Sequence, residues 1–290
     1  MSSRRETHAS QSGAANDAAD LTGDHATAAD AVPLTGGRMA AGITRVGDTV
    51  RRPVSASSDF MAALLRLLER QHFGGAPRYL GRVDGADVLS FIPGDIPAKF
   101  QSWSDEQVQS AASLLRSMHD ATRGSALAGR LDVVCHHDPG PNNVVFQNDA
   151  PTAFIDFAEA APGSRLEDVG YLAWTWSISS KQSLPLPRQA EQTRLIADAY
   201  GLETAERLAL IDCVLERQAR NVRFWAEFQT KPHTAPAAPD QIAERIAWSR
   251  RELAFVSMHR DVFDQALGDD PPSGPASNAR PAPWAGCADA

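Results

Sequence analysis

The chain has 290 residues, with 28 basic and 36 acidic side chains and a net charge of −8. At 43% apolar and 22% charged residues it has the composition of a globular protein, which excludes a collagen-like, coiled-coil or wholly disordered chain. The acidic balance argues against a nucleic-acid binder, and the lack of any run of about 18 apolar residues argues against a membrane span.

At about 150 residues per domain, the length predicts two folding units or lobes. Residues 1–30 hold one large aliphatic side chain, Leu21, and read as a disordered tail. Residues 269–290 are rich in Pro, Ala, Gly and Ser and read as a flexible one. Five of the eight excess negative charges fall in these two segments, so the part expected to fold is nearly balanced. No apolar stretch follows Arg4 and Arg5, so no secretory signal is expected. The cysteines, Cys135, Cys213 and Cys287, are odd in number and too widely spaced for a zinc pattern, which points to a reducing, cytoplasmic setting.

In chain order, Gly47-Asp48 predicts a hairpin turn between strands at 41–46 and 49–52. Met61, Leu64, Leu65 and Leu68 recur at helical spacing and predict a helix over 58–71, ended by Gly74-Gly75. Strands follow over 78–83 and 87–92, turned at Asp84-Gly85 and stopped by Pro93-Gly94. Ser104-Asp105-Glu106-Gln107 is a capping box that opens a helix to about Thr122. A short strand over 133–135 leads into a polar loop. A hairpin over 144–155 then turns around residues 148–151, and helices follow over 165–178, 188–200, 203–228 and 239–267. Gly201 is placed to cap the second of these helices. The pattern is a small β-rich lobe (31–93), an extended hinge over 89–94 and a larger helical lobe (94–268), with a cleft between the lobes where a ligand would bind.

The segment from Cys135 to Phe146 carries His-x-Asp-x4-Asn, as His136, Asp138 and Asn143, and Asp156 ends an apolar strand further on. This set suits phosphoryl transfer. One carboxylate, Asp138, orients an attacking hydroxyl and accepts its proton. Oxygen donors from Asn143 and Asp156 hold a magnesium ion against nucleotide phosphates. His136 would order the loop.

These residues resemble the catalytic loop and metal-binding acid of the aminoglycoside phosphotransferase and choline kinase-like family, most strongly over 132–176. The resemblance implies an α+β, protein-kinase-like fold of two lobes. It implies ATP and Mg2+, and transfer of the γ-phosphate to a hydroxyl of a small molecule. By position Asp138 would be the base, Asn143 and Asp156 the metal ligands, and Asp168 the acid that braces the loop. Asp168 also lies near a helix N-terminus, where a negative charge is favourable on its own account. Ser90, Phe91 and Ile92 resemble the hinge whose backbone meets adenine. Gly36 and Gly37 resemble a phosphate-covering loop.

The first lobe departs from the family. It has no lysine, since the chain's three are Lys99, Lys181 and Lys231. Arg51 or Arg52 stands where a strand cation would meet phosphates. Met61 takes the place of the helix glutamate that pairs with that cation. The loop also lacks the usual His-Pro-Gly order. The alternative these departures leave open is a catalytically weak immunity or binding protein that holds nucleotide or a toxin, as in a trifolitoxin-immunity-like branch with a similar first lobe. For the acceptor the signals conflict. Trp174, Trp176, Phe224, Trp225 and Phe228 offer aromatic packing, Glu159, Glu167 and Glu227 suit an amino sugar, and Arg217, Arg220 and Arg223 suit an anion.

Overall fold

A computed structural model describes residues 32–34, 42–98, 101–181, 183–230 and 237–268. Gly36, Gly37 and the two end segments lie outside the described residues. The first lobe is a five-stranded antiparallel sheet of β1 (Val32–Pro33), β2 (Thr44–Val46), β3 (Thr49–Pro53), β4 (Tyr79–Val83) and β5 (Ala86–Ser90), in the order β1-β2-β3-β5-β4. Asp84 and Gly85 turn β4 into β5 with φ of 51° and 75°, the left-handed pair that matches strand twist in a two-residue hairpin. Helix α1 (Ser58–Arg70) buries Met61, Leu64, Leu65 and Leu68, the stripe its spacing predicts. Each such side chain contributes about 1.5–3 kcal/mol on leaving water.

The stripe joins one apolar core that continues into the second lobe through Val108 and Leu115 of α2 (Asp105–Thr122). The capping box forms as expected: Ser104 Oγ accepts from Gln107 N at 3.3 Å, and Gln107 Oε1 accepts from Ser104 N at 3.0 Å. Two small two-stranded sheets follow. In one, β6 (Val133–Cys135) pairs with β9 (Ala161–Gly163); in the other, β7 (Val144–Gln147) pairs with β8 (Ala150–Phe154). Helices α3 (Arg165–Trp176), α4 (Leu186–Tyr200), α5 (Thr204–Thr230), α6 (Pro239–Met258) and α7 (Arg260–Gly268) complete the lobe. Gly201, at φ 79°, ends α4 as expected.

Three details differ from the sequence reading. The β7–β8 turn is only Asn148-Asp149, and Pro151 lies inside β8 beside a shift in register, where a missing N–H is tolerated. Strand β9 has no apolar alternation and is made by its pairing with β6. The expected helix over 239–267 breaks into α6 and α7 at His259, a site with neither glycine nor proline to announce it.

The hinge is clamped to the second lobe. Asp95 N donates to Phe146 O at 3.0 Å, Phe146 N donates to Asp95 O at 2.8 Å, and Gln147 Nε2 donates to Pro93 O at 2.7 Å. Gly94 permits this approach: its φ is 143°, and a Cβ there would lie 2.4 Å from Phe146 O. Gly94→Ala is therefore expected to cost about 3 kcal/mol, read as a lower denaturation midpoint, because strain and a backbone clash coincide.

Candidate active site

The polar loop between β6 and β7 is held from below by one buried carboxylate. Asp168, in the first turns of α3, accepts from His136 N at 2.6 Å and from His137 N at 2.8 Å. The His119 ring lies 3.1 Å from the same carboxylate and 2.7 Å from Tyr200 Oη. Asp168 and His119 are both fully buried. Burial opposes ionisation of Asp168, but the His119 hydrogen bond and the attraction of His119, His137 and His136 outweigh it and bring the pKa down to about 2. Cys135 Sγ approaches the His119 and Asp168 side chains. Burial pushes its thiol pKa upward, and it donates to Ser164 O at 3.2 Å, so it packs as a small core residue.

His136 links the loop to the following hairpin. Its Nδ1 accepts from Asp138 N at 3.3 Å, which leaves Nε2 to donate to Ile155 O at 2.9 Å. Its ring packs on Phe154 and Phe157. Ile155 N in turn donates to Asn143 O at 2.9 Å. With Ile155 fixed on both sides, Asp156 adopts a left-handed backbone, φ 61° and ψ 64°, which turns the chain sharply out of β8.

Asp138 and Asn143 meet directly. Asn143 Nδ2 donates to Asp138 O at 2.9 Å and to Asp138 Oδ2 at 2.8 Å. The amide nitrogen is thereby committed, so Asn143 presents Oδ1 as its acceptor, 3.1 Å from Asn142 Nδ2. Tyr171 Oη donates to Asp138 Oδ1 at 2.5 Å. Arg217 of α5 donates to His137 O at 2.6 Å and lies over the Tyr171 ring, while Trp176 Nε1 donates to Pro139 O at 3.0 Å. Tyr171, Arg217, His119 and Trp176 complete the loop's support, and the sequence reading assigned none of them that role. Tyr171 lies one helical turn beyond Asp168, a spacing that puts both on one face of α3. Arg217 had no such signal.

From the first lobe, Arg52 reaches the same place. Its Nη1 is 3.4 Å from Asp156 Oδ1 and 3.5 Å from Met61 Sδ. Met61 thus occupies the space opposite the strand cation. The nearest helix acid, Asp59, is bound to Arg82 at 2.9 Å instead. Arg51, next on the strand, points to the other face by alternation. Its Nε is buried without a hydrogen-bond partner among the described residues. At the hinge, Ser90 N donates to Arg78 O at 2.9 Å and Phe91 N to Asp48 O at 2.8 Å. Both N–H groups are occupied within the lobe, and Ile92 lines a cavity beside α1.

Beyond the loop lies a cavity of about 950 Å3 between α3 and α6, floored by the stacked rings of Trp174 and Trp248, 4.9 Å apart. Thr175 lines the cavity and borders the loop: a Cβ on Gly140 would lie 3.7 Å from its Oγ1. Of the other aromatics, Trp176, Trp225 and Phe228 belong to packing, and Phe224 is exposed. Trp176 is fully buried, and Trp225 packs with Ile242 and Ile246 in a second apolar cluster. The acids and arginines expected to choose an acceptor do not line this cavity. Glu167 caps α3 and binds Arg220 at 2.8 Å, and Arg223 binds Glu216 at 2.6 Å.

This is a protein-kinase-like fold: a small sheet lobe, a helical lobe, and a carboxylate-bearing loop at their junction. Residues 125–211, which contain the loop, match the phosphotransferase enzyme family. The chain is 28% identical over 263 residues to the trifolitoxin immunity protein of Rhizobium leguminosarum bv. trifolii, covering 82% of this chain and 99% of that protein. It superposes on an aminoglycoside phosphotransferase of Alicyclobacillus acidocaldarius with a TM-score of 0.51 at 15% identity, over 78% of this chain and 88% of the other. A gentamicin complex of APH(2″)-IIa gives 0.51 at 13% identity, over 80% and 93%. Among the described residues no helix is long and apolar enough to cross a membrane.

Proposed function

We propose that the chain is an ATP-dependent phosphotransferase that moves the γ-phosphate to a hydroxyl of a small molecule. The observation that carries this reading is the mutual geometry of Asp138 and Asn143, 2.8 Å apart at a loop that also adjoins Asp156 through Ile155. In this reading the hydroxyl oxygen of the acceptor forms a bond to the γ-phosphorus as the bond to the β–γ bridging oxygen breaks. The hydroxyl proton passes to Asp138, and the electron pair leaves with ADP. Asn143 Oδ1 and the Asp156 carboxylate are hard oxygen donors, the chemistry that suits magnesium. Magnesium, when bound there, supplies charge neutralisation at the phosphates. His136 and Asp168 fix the loop.

Residues 31–93 would form the nucleotide lobe, with Arg52 at the phosphates and the hinge, Ser90 to Ile92, at the base. With two hinge N–H groups occupied, the backbone contact to adenine falls to carbonyls or to Ile92. Residues 94–268 would hold the acceptor. ATP as donor and the free thiols of Cys135 and Cys213 fit a cytoplasmic setting.

The test is to incubate the full chain with Mg-ATP and a panel of hydroxyl compounds and to detect phosphorylated product by mass. Product that disappears on chelation of magnesium is expected, and none with any acceptor would reject the reading. Arg52→Ala is expected to weaken nucleotide binding about tenfold, measured by titration, because a charge-assisted contact to phosphate contributes on the order of 1.5 kcal/mol.

A second reading, an immunity or sequestering protein with little turnover, is favoured by the similarity to the trifolitoxin immunity protein and by Met61 in place of a helix acid. Nucleotide or toxin binding without any product would support it.

A further inference from the structure

We infer that the cavity between α3 and α6 takes an oxyanion-bearing alcohol, a hydroxyl compound with a carboxylate or phosphate, rather than an amino sugar or amino alcohol. The inference rests on the phosphotransferase reading for its chemistry but on the cavity's own side chains for its charge. Lys181, from the segment between α3 and α4, and Arg245 and Arg251 of α6 line the cavity, and Glu244 is the one carboxylate among its described lining residues. Arg245 is engaged with Trp225, so a cationic acceptor would meet Lys181 and Arg251 with Glu244 as its one acidic partner.

The basic residues come from two elements of the wall. Arg245, Trp248 and Arg251 recur every third residue on α6, so they share the face turned to the cavity. The Arg245 guanidinium is held 4.3 Å from the Trp225 ring centroid. Arg251 is exposed, and no carboxylate forms an ion pair with it among the described residues. Arginine forks match carboxylate and phosphate oxygens, and an excess of positive charge raises the local concentration of anions. Trp248, half-buried and stacked on the buried Trp174, offers an apolar plane for the acceptor's carbon frame. The acids first expected to suit an amino sugar, Glu159, Glu167 and Glu227, are not among the cavity's lining residues, and Glu167 is held by the start of α3 and by Arg220.

The orientation follows from Thr175. It lines the cavity and borders the loop, its Oγ1 lying 3.7 Å from where a Cβ on Gly140 would stand, so an acceptor whose anion sits at Arg251 and Lys181 and whose frame passes Thr175 brings its hydroxyl toward the loop. The hydroxyl is then phosphorylated as described above, with its proton passing to Asp138.

The test uses one pyranose frame at three charges. Glucuronate and glucose 6-phosphate, glucose, and glucosamine are titrated onto the full chain at low salt and followed by ligand-observed NMR. The same compounds and kanamycin are then offered with Mg-ATP. At least one of the two anions is expected to bind ten times or more tighter than glucosamine, with glucose between them, and to be the better acceptor in turnover. The two anionic arms distinguish a carboxylate from a phosphate preference. Arg251→Glu and Lys181→Glu should each erase the anion's advantage, while Glu244→Lys should increase it; thermal melts confirm that the exposed-site variants fold. Preferential binding or phosphorylation of glucosamine or kanamycin would overturn the charge assignment while leaving the phosphotransferase reading intact. Anion binding that Arg251→Glu removes, without turnover of any compound, would sustain the charge assignment and reject the phosphotransferase reading. No binding in any arm, or binding indifferent to Arg251→Glu, would reject the inference.

Discussion

Asp168→Ala is expected to lower stability by about 3–5 kcal/mol, the range for removing one partner of a buried charged network. The substitution leaves His136 N and His137 N without their acceptor and His119 without its carboxylate; His136 and His119 are fully buried and His137 is half-buried. Each orphaned donor costs about 1–3 kcal/mol, and the packed surroundings leave little room for replacement water. Urea denaturation at neutral pH measures the loss. If the loss were under about 1 kcal/mol, the loop would have support other than Asp168.

The same carboxylate sets an acid limit. Its folded pKa of about 2 lies below the unfolded value of about 3.9. A depressed pKa stabilises the fold above the unfolded value, and that stabilisation is lost as pH falls through the folded one. The window is therefore roughly pH 4 to pH 2, and the contribution lost across it is about 2–3 kcal/mol. Asp168→Asn keeps an acceptor oxygen but not the charge. The stability gap between wild type and this variant should be widest above pH 5 and should shrink by about that amount near pH 2. A gap constant across the range would mean that the carboxylate is not the titrating support.

Much of this arrangement was legible in the sequence because it rests on local rules. Asp84-Gly85, the capping box at Ser104 and the stripe of Met61, Leu64, Leu65 and Leu68 each depend on neighbours within a few residues, and each formed as read. His136, Asp138 and Asn143 were readable because one loop carries them at fixed spacing. Contacts between distant segments were not. Strand β9 has the sequence Ala-Pro-Gly and becomes a strand through Cys135 and its neighbours. Arg217 was read as part of an anion-binding row with Arg220 and Arg223. Its actual partners, His137 O and the Tyr171 ring, lie 80 and 46 positions earlier, and Arg220 and Arg223 are held by glutamates. The cavity's cations, from the α3–α4 segment and from α6, come together only through helix packing.

Asp138→Ala is expected to reduce turnover by about 10^3, within the range for loss of a positioned general base, with nucleotide affinity little changed. Two donors fix the carboxylate: Tyr171 Oη on Oδ1 at 2.5 Å and Asn143 Nδ2 on Oδ2 at 2.8 Å. Neither bond crosses to the first lobe, so their loss leaves Arg52 and the hinge in place. Asp138 is half-buried, so water can satisfy the two donors, and the stability cost should stay near 1 kcal/mol. A large effect on turnover with a small one on stability separates this residue from Asp168, for which the order is reversed. Tyr171→Phe provides the graded control. It removes one hydrogen bond and keeps the carboxylate, so a fall of about tenfold in kcat is expected, with nucleotide affinity unchanged. Steady-state kinetics on an identified acceptor, with nucleotide titration of both variants, makes the measurement. Wild-type turnover in Asp138→Ala would show that the proton leaves by another route. An equal loss of nucleotide affinity and turnover would mean that the residue acts through the shape of the loop rather than through its carboxylate.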